Sequence, residues 1–191
     1  GNDGAVNGAT LTSDRFGDVD NTYLFEGNDY INFGDKLDIY DNAFTISLWL
    51  KHPVNGREAT IIGKGQSTHT APRESGYLIM IDDGKYILRY NDDQARGLDS
   101  SASIENLNTW THLVYGLSRE GDSTTLKLFL NGEEVASDTG QVGSSNSEAD
   151  LSFGVHNKQT FIDGFFKGNI DDVRIYNRAL SEGEISSLYA L

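Results

Sequence analysis

The sequence predicts an all-β protein, an antiparallel β-sandwich closed by a short C-terminal helix. Three observations lead there. Runs of β-branched and aromatic residues recur about every ten residues, with turn signals between them. The 191 residues include 21 glycines and only two prolines, which suits short strands joined by loops. Helical periodicity is convincing only at the end, where Ser181-Glu182-Gly183-Glu184 has the form of a capping box and Ile185, Leu188 and Tyr189 fall on one face.

Residues 22–27 (TYLFEG) and 29–34 (DYINFG) are two short β runs around Gly27-Asn28. Residues 44–51 (FTISLWLK) alternate: Phe44, Ile46, Leu48 and Leu50 share one face, and Thr45, Ser47, Trp49 and Lys51 share the other. The polar face is expected to meet solvent or a ligand. Residues 59–63 form a short apolar strand. Residues 76–82 and 85–90 read as a hairpin turning at Asp83-Gly84. Residues 110–117 and 125–130 pair across a polar loop, and Asn131-Gly132 turns the chain into 133–137. Residues 151–156 and 168–176 complete the set, while 66–75, 91–103 and 138–150 read as loops. No linker or repeat interrupts the chain. It is read as one domain over residues 1–191, a mature or excised piece of a longer secreted or cell-surface protein.

Composition narrows the partners. Fifteen Lys and Arg against 29 Asp and Glu give a formal net charge of −14, which disfavours nucleic acid and anionic membrane surfaces. With no cysteine, disulfides, thiolate metal sites and a cysteine nucleophile are excluded. No apolar run approaches the length needed to span a bilayer.

Catalytic patterns are missing. Hydrolysis of a glycosidic bond needs two carboxylates facing each other across a cleft, about 5–9 Å apart. Glu133 and Glu134 are adjacent, hence on opposite strand faces, and Glu105 and Glu120 stand alone in loops. His52, His69, His112 and His156 show no metal-ligand spacing, and neither a nucleophile elbow nor an EF-hand loop is present. The chain is therefore read as a binding protein and not an enzyme. Trp49 offers a stacking platform, with Lys51 and Arg89 placed to contact hydroxyls or carboxylates of an acidic glycan. His112 and His156 are expected on the Trp49 face, and Lys64 and Tyr77 at its rim. The competing reading makes Trp49 a packing residue. Asp171 and Asp172 are expected to diverge by strand alternation, so that one ion cannot take both; the alternative is pairing with Arg15 and Arg174.

Six segments, in order, carry a resemblance: NGATLTSDRFG (7–17), YLFEGNDYINFGD (23–35), FTISLWLK (44–51), NTWTHLVYGLS (108–118), LKLFLNGEEV (126–135) and FKGNIDDVRIYNRALSEGEI (166–185). Together the chain resembles the laminin-G-like and pentraxin-like domains of the concanavalin A-like lectin/glucanase superfamily. The resemblance implies a jelly roll of two stacked antiparallel sheets. It implies a structural Ca²⁺ held by the Asp171 side chain and the Gly27 carbonyl, with Asn2, Asp3 and Asp14 contributing. It implies a non-catalytic, lectin-like or adhesin module that binds a polysaccharide, beside other domains of a larger extracellular bacterial protein. The alternative is a structural or protein-interaction domain without a glycan. Enzymes of the superfamily carry strand signatures (Glu-x-Asp-x-x-Glu, or Gln-x-His) that this sequence lacks.

Overall fold

The computed structural model describes residues 3–38, 42–53, 58–65, 75–94, 96–158 and 161–191. The first strands are β1 (Ala5–Asn7), β2 (Thr10–Thr12), β3 (Thr22–Glu26), β4 (Tyr30–Asn32), β5 (Phe44–Lys51), β6 (Ala59–Gly65), β7 (Gly76–Asp82) and β8 (Lys85–Asn91). They are followed by β9 (Gly97–Ser103), β10 (Thr111–Glu120), β11 (Ser123–Leu130), β12 (Glu133–Gly140), β13 (Ser152–Phe153), β14 (His156–Lys158), β15 (Phe161–Asp163), β16 (Lys167–Tyr176) and the helix α1 (Glu182–Tyr189).

Two seven-stranded antiparallel sheets form the sandwich. The first runs β1-β4-β13-β6-β7-β8-β9 and the second β12-β11-β10-β5-β16-β3-β2, with β14-β15 as a separate hairpin. The alternation of β5 puts Phe44, Ile46, Leu48 and Leu50 into the space between the sheets, beside Leu113, Tyr115 and Leu117 of β10. They meet Ile79, Ile81, Tyr86, Leu88 and Tyr90 of the opposite sheet. Both tight hairpins turn where the sequence places them. Asp83-Gly84 has φ of 45° and 72° and Asn131-Gly132 has 51° and 86°, the left-handed pair that matches strand twist.

Three short pieces of sheet are not legible in the sequence. Residues 97–103 (GLDSSAS) lack β-formers, yet they pair along all of β8, with Leu98 in the core. β1 and β2 are three-residue edge strands, and β14-β15 is a hairpin of three-residue strands. In each case cross-strand pairing supplies the order that local propensity does not.

The outer face of β5 departs from expectation. Thr45 and Ser47 are fully buried and Trp49 nearly so. The C-terminal segment lies over them. Thr45 Oγ1 donates to the Arg178 carbonyl at 3.0 Å and accepts from the Leu180 amide at 3.0 Å. Ile185 packs on Val114 and Phe129, and Tyr189 stacks on Trp49 with ring centroids 5.7 Å apart. The central strands of this sheet are thus buried on both faces, and their polar alternation serves the helix rather than a ligand. The capping box forms as read, with Glu184 N donating to Ser181 Oγ (3.3 Å) and Ser181 N donating to Glu184 Oε2 (2.9 Å).

If the helix is held by this face, Ile185→Ala lowers unfolding free energy by about 2–4 kcal/mol in denaturant titration. Tyr189→Ala shifts tryptophan emission to the red by wetting Trp49. Unchanged emission in that variant would mean that the helix does not shield the indole.

Candidate functional site

The carboxylates of the last strand are brought together, not apart. Asp171 pairs with Trp49 and Arg174 with Ser47, so Asp172 and Val173 together oppose Leu48. This is a β-bulge, and Asp172 takes the left-handed φ of 48° that the inserted residue requires. The inserted residue breaks the alternation on which the expected divergence rests. Both carboxylates now face the Arg15 guanidinium: Arg15 Nη1 lies 3.5 Å from Asp171 Oδ2 and hydrogen-bonds Asp172 Oδ2. Arg174 Nη2 also donates to Asp172 Oδ1, at 3.2 Å. The guanidinium of Arg15 covers the Trp49 ring at 4.8 Å and the Phe16 ring at 4.2 Å. Burial lifts the Asp171 carboxyl above the ordinary range, and the charges of Asp172 and Asp14 add to that push.

These residues do not fit the Ca²⁺ shell that the resemblance implies. Such an ion gathers six to eight oxygens at about 2.3–2.6 Å. Lys167 pairs with Glu26 beside Gly27, and Asp171 lies four residues farther along the strand, about 13 Å away at ~3.3 Å per residue. Asp14 is filled by its own loop, its oxygens accepting from Phe16 N at 2.8 Å, Asp18 N at 3.0 Å and Asn21 Nδ2 at 3.3 Å. Desolvation opposes its ionisation, but these donors outweigh it and hold the carboxyl below its usual range. Asp3 is exposed, and Asn2 lies outside the described residues. Among the described residues, no three His, Asp or Glu side chains are grouped to hold a metal. The cations beside these two carboxylates are Arg15, shared by both, and Arg174 at Asp172.

The expected ligand face is dispersed. Trp49 and His112 do sit together on the second sheet, ring centroids 5.2 Å apart, but under Tyr189. His112 is fully buried, with Nε2 at 2.8 Å from Ser47 Oγ. Lys51, at the end of the same face, is partly exposed. His156 lies off the second sheet, at the start of the separate β14-β15 hairpin: it is buried beside β6, its Nε2 3.1 Å from the Gly65 carbonyl. Arg89 stands on the outer face of the first sheet opposite Asp99, which it engages bidentately at 2.8 and 2.9 Å. Lys64 is buried against Asp35 (2.7 Å), Asp38 (3.1 Å) and the Ala149 carbonyl (2.8 Å). Tyr77 lies in the core between Phe44 and Tyr115, and burial raises its phenol well above the usual range. Of the cations expected to read an acidic glycan, Arg89 is neutralised by Asp99 whereas Lys51 stays partly exposed; Lys64, expected at the rim, is neutralised inside the protein.

Asp92 is a structural hub. It is buried, and its carboxylate accepts from Gln94 N (2.9 Å), Arg96 N (2.8 Å), Arg96 Nε (2.7 Å) and Gly143 N (2.8 Å). It ties the turn after β8 to the strand-poor segment near 143. The available signal is Asn91-Asp92-Asp93, a cluster equally typical of an ordinary turn.

One concavity has the composition of a ligand site. A cleft of about 280 Å³ opens at one end of the sandwich. Its floor is Phe44, Ile46 and Tyr77, Ile175 and Tyr176 form a wall, and Asp38, Asn42 and Asn177 stand at its polar rim. Tyr77 Oη donates to the carbonyl of Leu37, also a lining residue, at 3.2 Å. Leu37 has φ of 61°, a strained conformation for a branched side chain. Of the expected ligand residues only Tyr77 lines this cleft.

A family model described as the concanavalin A-like lectin/glucanases superfamily, of laminin G type, matches residues 25–186. The chain belongs to that superfamily. Paraclostridial mosquitocidal protein 1 of Paraclostridium bifermentans is 25% identical over 181 residues, covering 87% of this laminin-G-type chain and 13% of that protein. Among solved structures, the receptor binding domain of botulinum neurotoxin C/D mosaic serotype superposes with a TM-score of 0.72 at 18% identity, over 98% of this chain and 46% of that one. Domain 4 of AbnA, a GH43 extracellular arabinanase from Geobacillus stearothermophilus, was solved in complex with arabinotriose. It superposes with a TM-score of 0.73 at 22% identity, over 97% of this chain and 87% of that domain. These likenesses establish the shared jelly roll. The chain spans less than half of the toxin binding domain and a small fraction of the mosquitocidal protein.

Burial, reinforced by the Arg174 and Arg15 guanidiniums, lowers the His112 pKa from 6.5 to about 4. The unfolded chain therefore binds a proton in this interval that the folded chain refuses. Stability falls as pH drops from 6.5 towards 4, by about 1.4 kcal/mol per pH unit. Comparing wild type with His112→Gln by denaturant titration across that window isolates the effect: the variant shows a flatter pH slope. Equal slopes would place the imidazole in water.

Proposed function

We propose that this domain is a non-catalytic carbohydrate-binding module of an extracellular protein. The observation that carries the reading is the end cleft, an aromatic and aliphatic pocket ringed by amide and carboxylate groups. Sugars offer C–H faces that pack on aromatic rings and hydroxyl pairs that match planar polar groups. The close carboxylate pairs do not suggest an acid and base working together: Asp171 and Asp172 are bound by Arg15, and Asp35 and Asp38, the latter at the cleft rim, by Lys64. The arabinanase domain that holds arabinotriose supports the same reading, because it matches this fold over nearly its whole length. The toxin relatives agree with a binding role and an extracellular setting, and their greater length agrees with a module joined to other domains. Ca²⁺ has no part in this proposal.

A glycan array probed with the tagged domain, with and without EDTA, tests it. Saturable binding to a restricted set of glycans, insensitive to EDTA, is the expected result. Absence of binding to every glycan would refute the reading and favour a structural or protein-interaction domain.

A further inference from the structure

We infer that the end cleft takes the terminal ring of a neutral glycan, and that the outer face of the second sheet does not read a run of sugars. This rests on the carbohydrate-binding reading and specifies its site and its ligand class.

Size and closure argue for one ring. At about 280 Å³ the cleft falls just below the roughly 300–1,000 Å³ usual for ligand pockets. Beneath it the core closes: Phe44 and Tyr77 pack with centroids 5.5 Å apart, and Ile46 is fully buried. A polymer cannot thread such a pocket, whereas a chain end or a branch can enter it. An open sheet face would take several rings in a row, but the central strands of the second sheet lie under α1. Trp49, the natural platform there, is 9% exposed and already sandwiched by Arg15 and Tyr189.

Charge argues for neutrality. Among the described residues the cleft contributes one carboxylate, Asp38, and no Lys or Arg lines it. The cation paired with Asp38 is Lys64, whose side chain is 1% exposed and directed to Asp38, Asp35 and the Ala149 carbonyl. A uronate or sulfated sugar would meet Asp38 in a cleft whose described lining residues include no cation, in a protein of net charge −14. A neutral ring instead finds the aromatic wall of Tyr176, the amides of exposed Asn42 and Asn177, and an acceptor in Asp38. Amides and carboxylates of this kind give bidentate contacts to vicinal hydroxyls.

The test uses isothermal titration with mono-, di- and trisaccharides of arabinose, xylose, glucose, galactose and mannose, and with galacturonic acid as the anionic probe. The expected result is binding of at least one neutral sugar whose affinity changes by less than about threefold from one ring to three, with no binding of galacturonic acid. Asn42→Ala with Asn177→Ala, both at exposed positions, weakens that binding about tenfold, as does Tyr176→Ala, while the melting curve of the double variant is unchanged. Three results would overturn the inference while leaving the module reading intact: affinity that climbs about tenfold with each added ring, preference for galacturonic acid, or wild-type affinity in both variants. Array binding with no response to any of these probes would also overturn it. Failure of the array itself would remove the carbohydrate-binding reading along with it.

Discussion

The contact on which most of this structure depends is the seating of the C-terminal helix on the outer face of the second sheet. Ile185 inserts between Val114 and Phe129, Tyr189 covers Trp49 and His112, and Thr45 bonds the chain at Arg178 and Leu180. Burying apolar area on this face is favourable by about 25 cal/mol per Å², and it costs the face its access to ligands. Strands β5 and β10 become interior strands with two packed faces. Their polar residues must then find partners inside: Ser47 finds His112, and Thr45 finds the backbone. His112 is kept neutral by the same burial that hides Trp49.

A second constraint is the use of cations. The sequence has few of them, and the structure commits most of the described ones to internal ties. Arg15 closes the β16 bulge, Lys64 holds Asp35 and Asp38, and Arg89 crosses to Asp99. Arg119 donates to the Val142 and Gly143 carbonyls and to the Tyr90 hydroxyl. Removing one partner of a buried pair leaves a stranded charge, so these pairs set the loop positions around the sandwich even where their net contribution to stability is small. The exposed surface is left acidic. An acidic surface and an amide-rimmed cleft together favour an uncharged ligand, in contrast to the acidic glycan expected from Lys51 and Arg89 beside Trp49.

Within its superfamily this arrangement separates architecture from recognition. The jelly roll superposes on toxin binding domains and on a sugar-holding arabinanase domain at identities of 18–22%, so the sandwich itself is compatible with different surroundings. In this chain the end cleft is formed by the loop carrying Leu37 and Asp38, the start of β5 and the end of β16.

Legibility followed the range of the forces involved. Period-two alternation, Asp83-Gly84 and Asn131-Gly132 turns and the capping box are short-range, so the sequence alone determined the strand-rich class, both tight hairpins, the C-terminal helix and the Phe44–Leu50 core stripe. Residues 97–103, loop-like in composition, became β9 because β8 offered a partner, which no local propensity records. The Asp172 bulge likewise arises from sheet register, and it reversed the expected divergence of Asp171 and Asp172. Only the tertiary structure decided that Trp49 lies beneath Tyr189, that Lys64 and Arg89 are neutralised, that Gly27 and Asp171 stand far apart, and that an apolar cleft with a polar rim opens at the sandwich's end. A side chain's availability to a ligand depends on which distant segment packs over it, and that coverage is settled by long-range burial rather than by neighbours in the chain.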